Sequence, residues 1–209
     1  MKKLTPGMHI RVVSPSSSIE RIGGFEANLV AKERLEKLGF TVSFSEHYLE
    51  NDILGSASIE SRVEDIHAAF SDDSVDAILA TIGGFNCNEL LPYLDFELIA
   101  RNPKIFCGYS DTTALLSAIY SKTGMKTYMG PSYSSFKMEA LQDYQTESWL
   151  KAVSQTSYEL TPSEKWGDNA WYLPDAPLTF HETEWKVYHH GQAQATVIGG
   201  NLSTFSLLR

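Results

Sequence analysis

A chain of 209 residues with 43% hydrophobic and 21% charged content is long enough for one large domain, or for one domain and part of a second, and has the balance of a soluble globular protein with a sizeable core. Its net charge of -9 excludes nucleic acid as the expected partner, because phosphate binding needs clustered Lys and Arg and no basic run occurs. Met1-Lys2-Lys3 leads into Leu4-Thr5-Pro6-Gly7 instead of an apolar stretch, and no apolar run approaches the roughly 20 residues of a membrane span, so neither a signal peptide nor a membrane partner is expected and the location is read as cytoplasmic.

Taken in order, Ile10 to Val13 reads as a first strand, followed by the loop Ser14-Pro15-Ser16-Ser17-Ser18. Phe25, Leu29, Leu35 and Leu38 recur at helical spacing, so the pattern predicts a helix over 25–38 that Gly39 ends. Phe40, Val42 and Phe44 alternate as a second strand, and the apolar stripe Ile59, Val63, Ile66 and Phe70 predicts a helix starting near Ser58. Asp76 to Ile82 is nearly all apolar, as a strand covered on both faces should be, and it runs into Gly83-Gly84-Phe85-Asn86. Short helices follow over 88–94 and 96–100.

Ile105 to Cys107 is a fourth strand stopped by Gly108, and Ala114 to Tyr120 reads as a helix that Gly124 ends. Ser110 therefore falls on the tight turn between strand and helix, the position of a nucleophile elbow, although the local sequence is Gly-Tyr-Ser-Asp-Thr and not Gly-x-Ser-x-Gly. The competing reading is that Ser110 only caps the helix. Thr127 to Met129 is a short fifth strand, and Glu139 to Val153 a helix that closes the first domain. Strands alternating with helices predict an α/β fold, a parallel sheet with helices on both faces, and place the loops 14–18, 83–86 and 109–111 at one carboxyl edge.

The composition then shifts. Residues 161–175 form a loop holding Trp166 and Trp171, and the segments 184–188 and 193–198 are strand-like. The expected division is a nucleophile domain over 1–155, a linker and Trp-bearing loop over 156–183, and the start of a smaller β-rich domain over 184–209. Cys87 and Cys107 are expected to be buried free thiols; no metal spacing involves them, and neither metal nor cofactor is expected. No Lys follows Gly83-Gly84 as a phosphate-binding loop requires, which weakens a nucleotide-binding reading of that pair. His47 and His67 read as solvent-facing, and His181, Glu182, Glu184, His189 and His190 as surface and strand-end residues.

Four segments together resemble the LD-carboxypeptidase family of serine peptidases: Val13-Ser14-Pro15-Ser16, residues 81–91 around Gly83-Gly84-Phe85-Asn86, residues 102–113 around Gly108-Tyr109-Ser110-Asp111, and Gly199-Gly200-Asn201-Leu202-Ser203. They run in family order, and the likeness is strongest to the microcin-immunity branch. The resemblance implies a flavodoxin-like nucleophile domain and a Ser-Glu-His triad with Ser110 as nucleophile. The oxyanion donors would be the backbone N–H of Asp111 and that of Gly84, with Gly83 as the alternative. It implies a small peptide or peptidyl-nucleotide substrate, cleaved at an amide bond near its carboxyl terminus, and a homodimer. Trp166 and Trp171 would stack on the nucleotide, or else fill the join between domains. Asn86 and Asn88 would bond substrate, or cap the helix that follows. In the family the Glu and His come after the Gly-Gly-Asn-Leu segment; here seven residues follow Leu202 and none is Glu or His. The reading is therefore of a chain truncated before its catalytic base, with a non-catalytic binding module as the alternative.

Overall fold

The computed structural model describes residues 2–170 and 178–208. Five parallel strands form its centre: β1 (His9–Val13), β2 (Thr41–Phe44), β3 (Ala77–Ala80), β4 (Ile105–Gly108) and β5 (Tyr128–Met129), in the order β2-β1-β3-β4-β5. This is the flavodoxin-like order, and its reversal point lies between β1 and β3. The register runs Val13 against Ala80 and Leu79 against Cys107, so the carboxyl ends of the central strands finish level with one another.

The side-chain alternation of the strands decides which helix covers which face. Ile10, Val12, Ala77, Leu79, Ile105 and Cys107 point to a layer with Ala31 and Leu35 of α1 (Leu29–Lys37) and Trp149 and Val153 of α5 (Gln142–Ser154). Val13, Ile78, Ala80 and Phe106 point the other way. They meet Ile66 and Phe70 of α2 (Ile59–Ser71), Ile99 of α3 (Phe96–Arg101), and Leu115 and Ile119 of α4 (Thr113–Thr123). All four residues of β3 are buried, as its unbroken apolar sequence requires.

Several boundaries differ from the sequence reading for local reasons. The helix expected over 25–38 is split: residues 26–28 form a 3₁₀ turn, and α1 begins at Leu29. Asn28 causes the break, since its buried amide donates to the carbonyls of Gly24 at 2.7 Å and Ile22 at 3.3 Å, a local alternative to the helical ladder. The closing helix starts at Gln142 because Leu141 takes a left-handed conformation, φ 57. Residues 184–188 and 193–198 are not strands; neither has a pairing partner among the described residues, and Tyr188 and Val197 are more than nine-tenths exposed. Alternating apolar residues specify a strand only where a neighbouring backbone can complete the ladder. The small antiparallel pair lies earlier, between β6 (Lys165–Trp166) and β7 (His181–Glu182). A short helix, α6 (Leu202–Ser206), packs near α4. No helix among the described residues is long and apolar enough to cross a membrane.

His47 and His67 are half-buried, not solvent-facing. His67 Nε2 accepts the backbone N–H of Asp95 at 2.9 Å, and burial holds its pKa down. His47 Nδ1 pairs with Asp65 Oδ1 at 2.9 Å, and that hydrogen bond, opposed by burial and helped by the charges of Asp65, Glu50 and Glu46, raises its pKa. A raised folded-state pKa stabilises the fold fully below the ordinary imidazole value, about 6.5, and the contribution disappears as pH climbs through the raised value. Urea denaturation should therefore show the parent chain more stable than His47→Gln at pH 5.5, with the gap closing by pH 8.5; a gap that widens with pH would contradict the pairing.

Candidate active site

Gly108 ends β4 where strand and helix are closely packed: a Cβ there would lie 2.9 Å from both Ala80 Cβ and Thr112 Cγ2. Tyr109 continues extended, and Ser110 then turns into the left-handed region at φ 57 before a 3₁₀ turn over Ser110–Thr112 leads into α4. For a residue with a Cβ this conformation costs about 1–3 kcal/mol. The hydroxyl does not recover that as a helix cap: Tyr109 and Thr112 occupy the cap positions of the 3₁₀ turn and of α4, and neither makes a side-chain cap bond. Capping was the competing reading of Ser110, and the geometry removes it. What remains is a partly exposed hydroxyl held at the carboxyl edge of the sheet, at the mouth of a helix.

The glycine pair faces this serine at backbone distance. A Cβ on Gly83 would lie 2.8 Å from Ser110 Cβ and 2.9 Å from its Oγ; one on Gly84 would lie 2.2 Å from Ser16 Oγ and 2.6 Å from Ser17 Oγ. Only glycine lets the loop approach so closely. Gly83 is thus the residue packed on Ser110, while Gly84 lies against the β1 loop and lines the cleft. Neither the N–H of Gly84 nor that of Asp111 takes part in a hydrogen bond within the described residues. Two unpartnered donors beside a partly exposed serine are the arrangement that stabilises charge developing on a carbonyl oxygen.

The cleft has a volume of about 370 Å³. Gly84, Phe85 and Asn88 line one side, Ser110 and Asp111 the floor, and Asn201, Ser203, Thr204 and Leu207 the other side. The last group was not singled out in the sequence as site residues. Its signal was the Gly199-Gly200 pair: a Cβ on Gly200 would lie 2.3 Å from Thr113 Cγ2, and the next N–H, of Asn201, donates to Thr113 Oγ1 at 2.9 Å. Small residues let the distant segment lie on the helix that begins just after Ser110. Asn201 then caps α6, accepting the N–H of Thr204 at 3.0 Å.

Asn86 is not on the cleft wall. It is 4% exposed, its Nδ2 donates to Ser56 Oγ at 3.0 Å, and Ser16 Oγ lies 3.5 Å from its Oδ1; the amide holds loops together behind the site. Asn88, which is exposed, faces the cleft instead. Arg62, 3% exposed, donates to the carbonyls of Pro15 at 3.3 Å and Asn86 at 3.2 Å and pairs with Glu89 at 3.0 Å, joining the loops after β1 and β3. Trp166 sits on β6, about half exposed, with its ring 4.8 Å from that of His181; it is not among the cleft residues. Trp171 lies outside the described residues, as does Arg209.

None of the residues lining the cleft is His or Glu. His181, Glu182, Glu184, His189 and His190 are all exposed. Both cysteines are buried, and burial pushes the Cys107 thiol up to about 12 and the Cys87 thiol higher still, so neither supplies a thiolate near neutrality. Among the described residues no group of three or more His, Cys, Asp or Glu could hold a metal ion.

Comparison with known proteins agrees with this geometry. The family model for the LD-carboxypeptidase N-terminal domain matches residues 10–130. The putative carboxypeptidase YocD of Bacillus subtilis is 48% identical over 99% of this chain and 64% of its own length. The crystal structure of an MccF-like protein from Bacillus anthracis, also 48% identical, superposes with a TM-score of 0.95 over 100% of this chain and 64% of that one. Microcin C7 self-immunity protein MccF in complex with aspartyl sulfamoyl adenosine superposes with a TM-score of 0.90 at 32% identity, over 98% of this chain and 64% of that one. The chain thus spans 64% of the length of each.

Strain at the elbow has a measurable consequence. Ser110→Gly should raise the unfolding free energy by about 1 kcal/mol, the strain released less the entropy of an added glycine. Urea unfolding of the variant at an unchanged midpoint would show that residue 110 is relaxed.

Proposed function

The chain belongs to the LD-carboxypeptidase family, and we propose that it carries the nucleophile half of a serine hydrolase that cleaves an amide bond near the carboxyl terminus of its substrate. The observation that supports this most directly is Ser110 itself: a serine at φ 57, with no capping bond, beside two unpartnered backbone N–H groups. Ser110 Oγ attacks the carbonyl carbon as its proton passes to a general base from outside the cleft lining, and the oxygen becomes an anion between the Asp111 and Gly84 N–H groups; collapse then breaks the C–N bond, the amine leaves with that proton, and water hydrolyses the acyl-serine. Loss of one such donor typically slows an acyl transfer by about 10²–10³-fold.

The substrate in this reading is an aminoacyl nucleotide or a related peptidyl nucleotide. Two features support it: the aspartyl sulfamoyl adenosine held by MccF at a TM-score of 0.90 and the open cleft of about 370 Å³ beside Ser110. A cytoplasmic homodimer completes the reading. One observation favours a second reading, a binding module without turnover: no His or Glu lines the cleft, and a serine hydroxyl without a base is a poor nucleophile at neutral pH.

Incubating the protein with an aminoacyl sulfamoyl nucleoside and with a murein tetrapeptide separates these readings. Cleavage of the nucleoside compound, abolished in Ser110→Ala, is the expected result. Cleavage of the tetrapeptide alone would sink the nucleotide assignment. Binding of either compound without cleavage would leave the binding module as the function of this chain.

A further inference from the structure

We infer that the side chain of Asp111, distinct from its backbone N–H, is a positioning residue that fixes the glycine loop against Ser110; the inference rests on the acyl-transfer reading above. Asp111 is 4% exposed. Its Oδ2 accepts hydrogen bonds from two different loops: Ser16 Oγ at 2.5 Å, in the loop after β1, and the backbone N–H of Cys87 at 2.9 Å, in the loop after β3. Charge-assisted bonds of this length to a carboxylate are short, directional and strong. Among the described residues, no other side chain of the elbow 109–112 is hydrogen-bonded to either loop.

The geometry then closes on itself. Ser16 Oγ is the atom against which Gly84 is packed, 2.2 Å from where a Cβ would stand, and Ser17 N donates to Gly83 O at 3.3 Å. Holding Ser16 therefore sets the height of the Gly83-Gly84 backbone above the elbow. Cys87 N, three residues beyond Gly84, is held by the same oxygen. One residue thus contributes one oxyanion donor through its main chain and, through its carboxylate, sets the separation to the other. Arg62 joins the two loops to each other, and Asp111 is what joins both to the nucleophile.

The test uses Asp111→Ala, Asp111→Asn and Ser16→Ala in the 209-residue chain. One readout is the backbone amide resonances of Gly84 and Cys87; the other is the rate of Ser110 phosphonylation by a fluorophosphonate, followed by intact mass. Asp111→Ala should move both resonances and slow phosphonylation by about 10²-fold, the effect of a misplaced catalytic geometry. Asp111→Asn should regain most of that rate, because its amide oxygen can accept the same two bonds. Ser16→Ala, which removes one hydroxyl, should fall between the two and keeps the test readable if Asp111→Ala does not fold. A Gly84 resonance unmoved in both Asp111→Ala and Ser16→Ala overturns the inference, as does an Asp111→Asn variant as slow as Asp111→Ala. If the parent chain never labels at Ser110 while the Gly84 resonance does move, the acyl-transfer reading fails and the positioning role of Asp111 stands.

Discussion

The reversal of strand order between β1 and β3 is the constraint on which the cleft depends. Connections between parallel strands are right-handed, so chains leaving β1 and β3 in opposite directions across the sheet send their helices to opposite faces. The carboxyl ends are left with a crevice that no helix fills. The loops after β1 and β3 must turn there with their polar backbone half in water, and the elbow after β4 opens beside them. Ser110 needs no special fold to be exposed at this place; the topology supplies the opening, and the left-handed turn supplies the direction.

A crevice alone does not hold three loops in register. Here the work is done by buried polar groups, not by apolar packing. Arg62 and Asn86 lie behind the glycine loop and the serine-rich loop, each satisfied by carbonyls or hydroxyls, while the two apolar layers sit further down the strands. A buried polar group left without its partner costs more than a missing apolar contact of similar size, so such a network specifies one arrangement. At the opposite end of the sheet the ammonium of Lys104 plays a similar part, donating to the carbonyls of Val75 and Asp72, and burial lowers its pKa. Both ends of the sheet are tied by long side chains reaching main-chain oxygens.

The sheet was legible in the sequence because its information is local and periodic. The apolar run of β3, the stripe on α2 and the glycines after α1 and α4 each state a structure within a dozen residues, and each was found there. The elbow was legible for the same reason, as a strand, a glycine and a helix start in succession. Two things were not. The wall formed by Asn201 to Leu207 reaches the cleft across a sequence separation of about ninety residues, and nothing in its own pattern names Thr113 as its neighbour. Asn86, beside the glycine pair, looked like a substrate contact because proximity in sequence was taken for direction in space; its side chain points back to Ser56. The strands expected over 184–188 and 193–198 failed differently, since alternation of apolar residues describes a face, and a strand also needs a partner.

The closeness of Gly83 and Gly84 to their neighbours, 2.8 Å and 2.2 Å for an added Cβ, has a bearing on how this surface can change over generations. Most binding walls drift by exchanging side chains. This one presents main chain to the cleft and collides with any side chain placed on it, so substitution offers it almost no variation that keeps the loop in place. A small molecule that contacted only the peptide groups of this pair would face a target unable to mutate away from it without also dismantling the seat of Ser110. The side chains through which this cleft could be retuned are the ones it does carry, Phe85 and Asn88 on one wall and Ser203, Thr204 and Leu207 on the other.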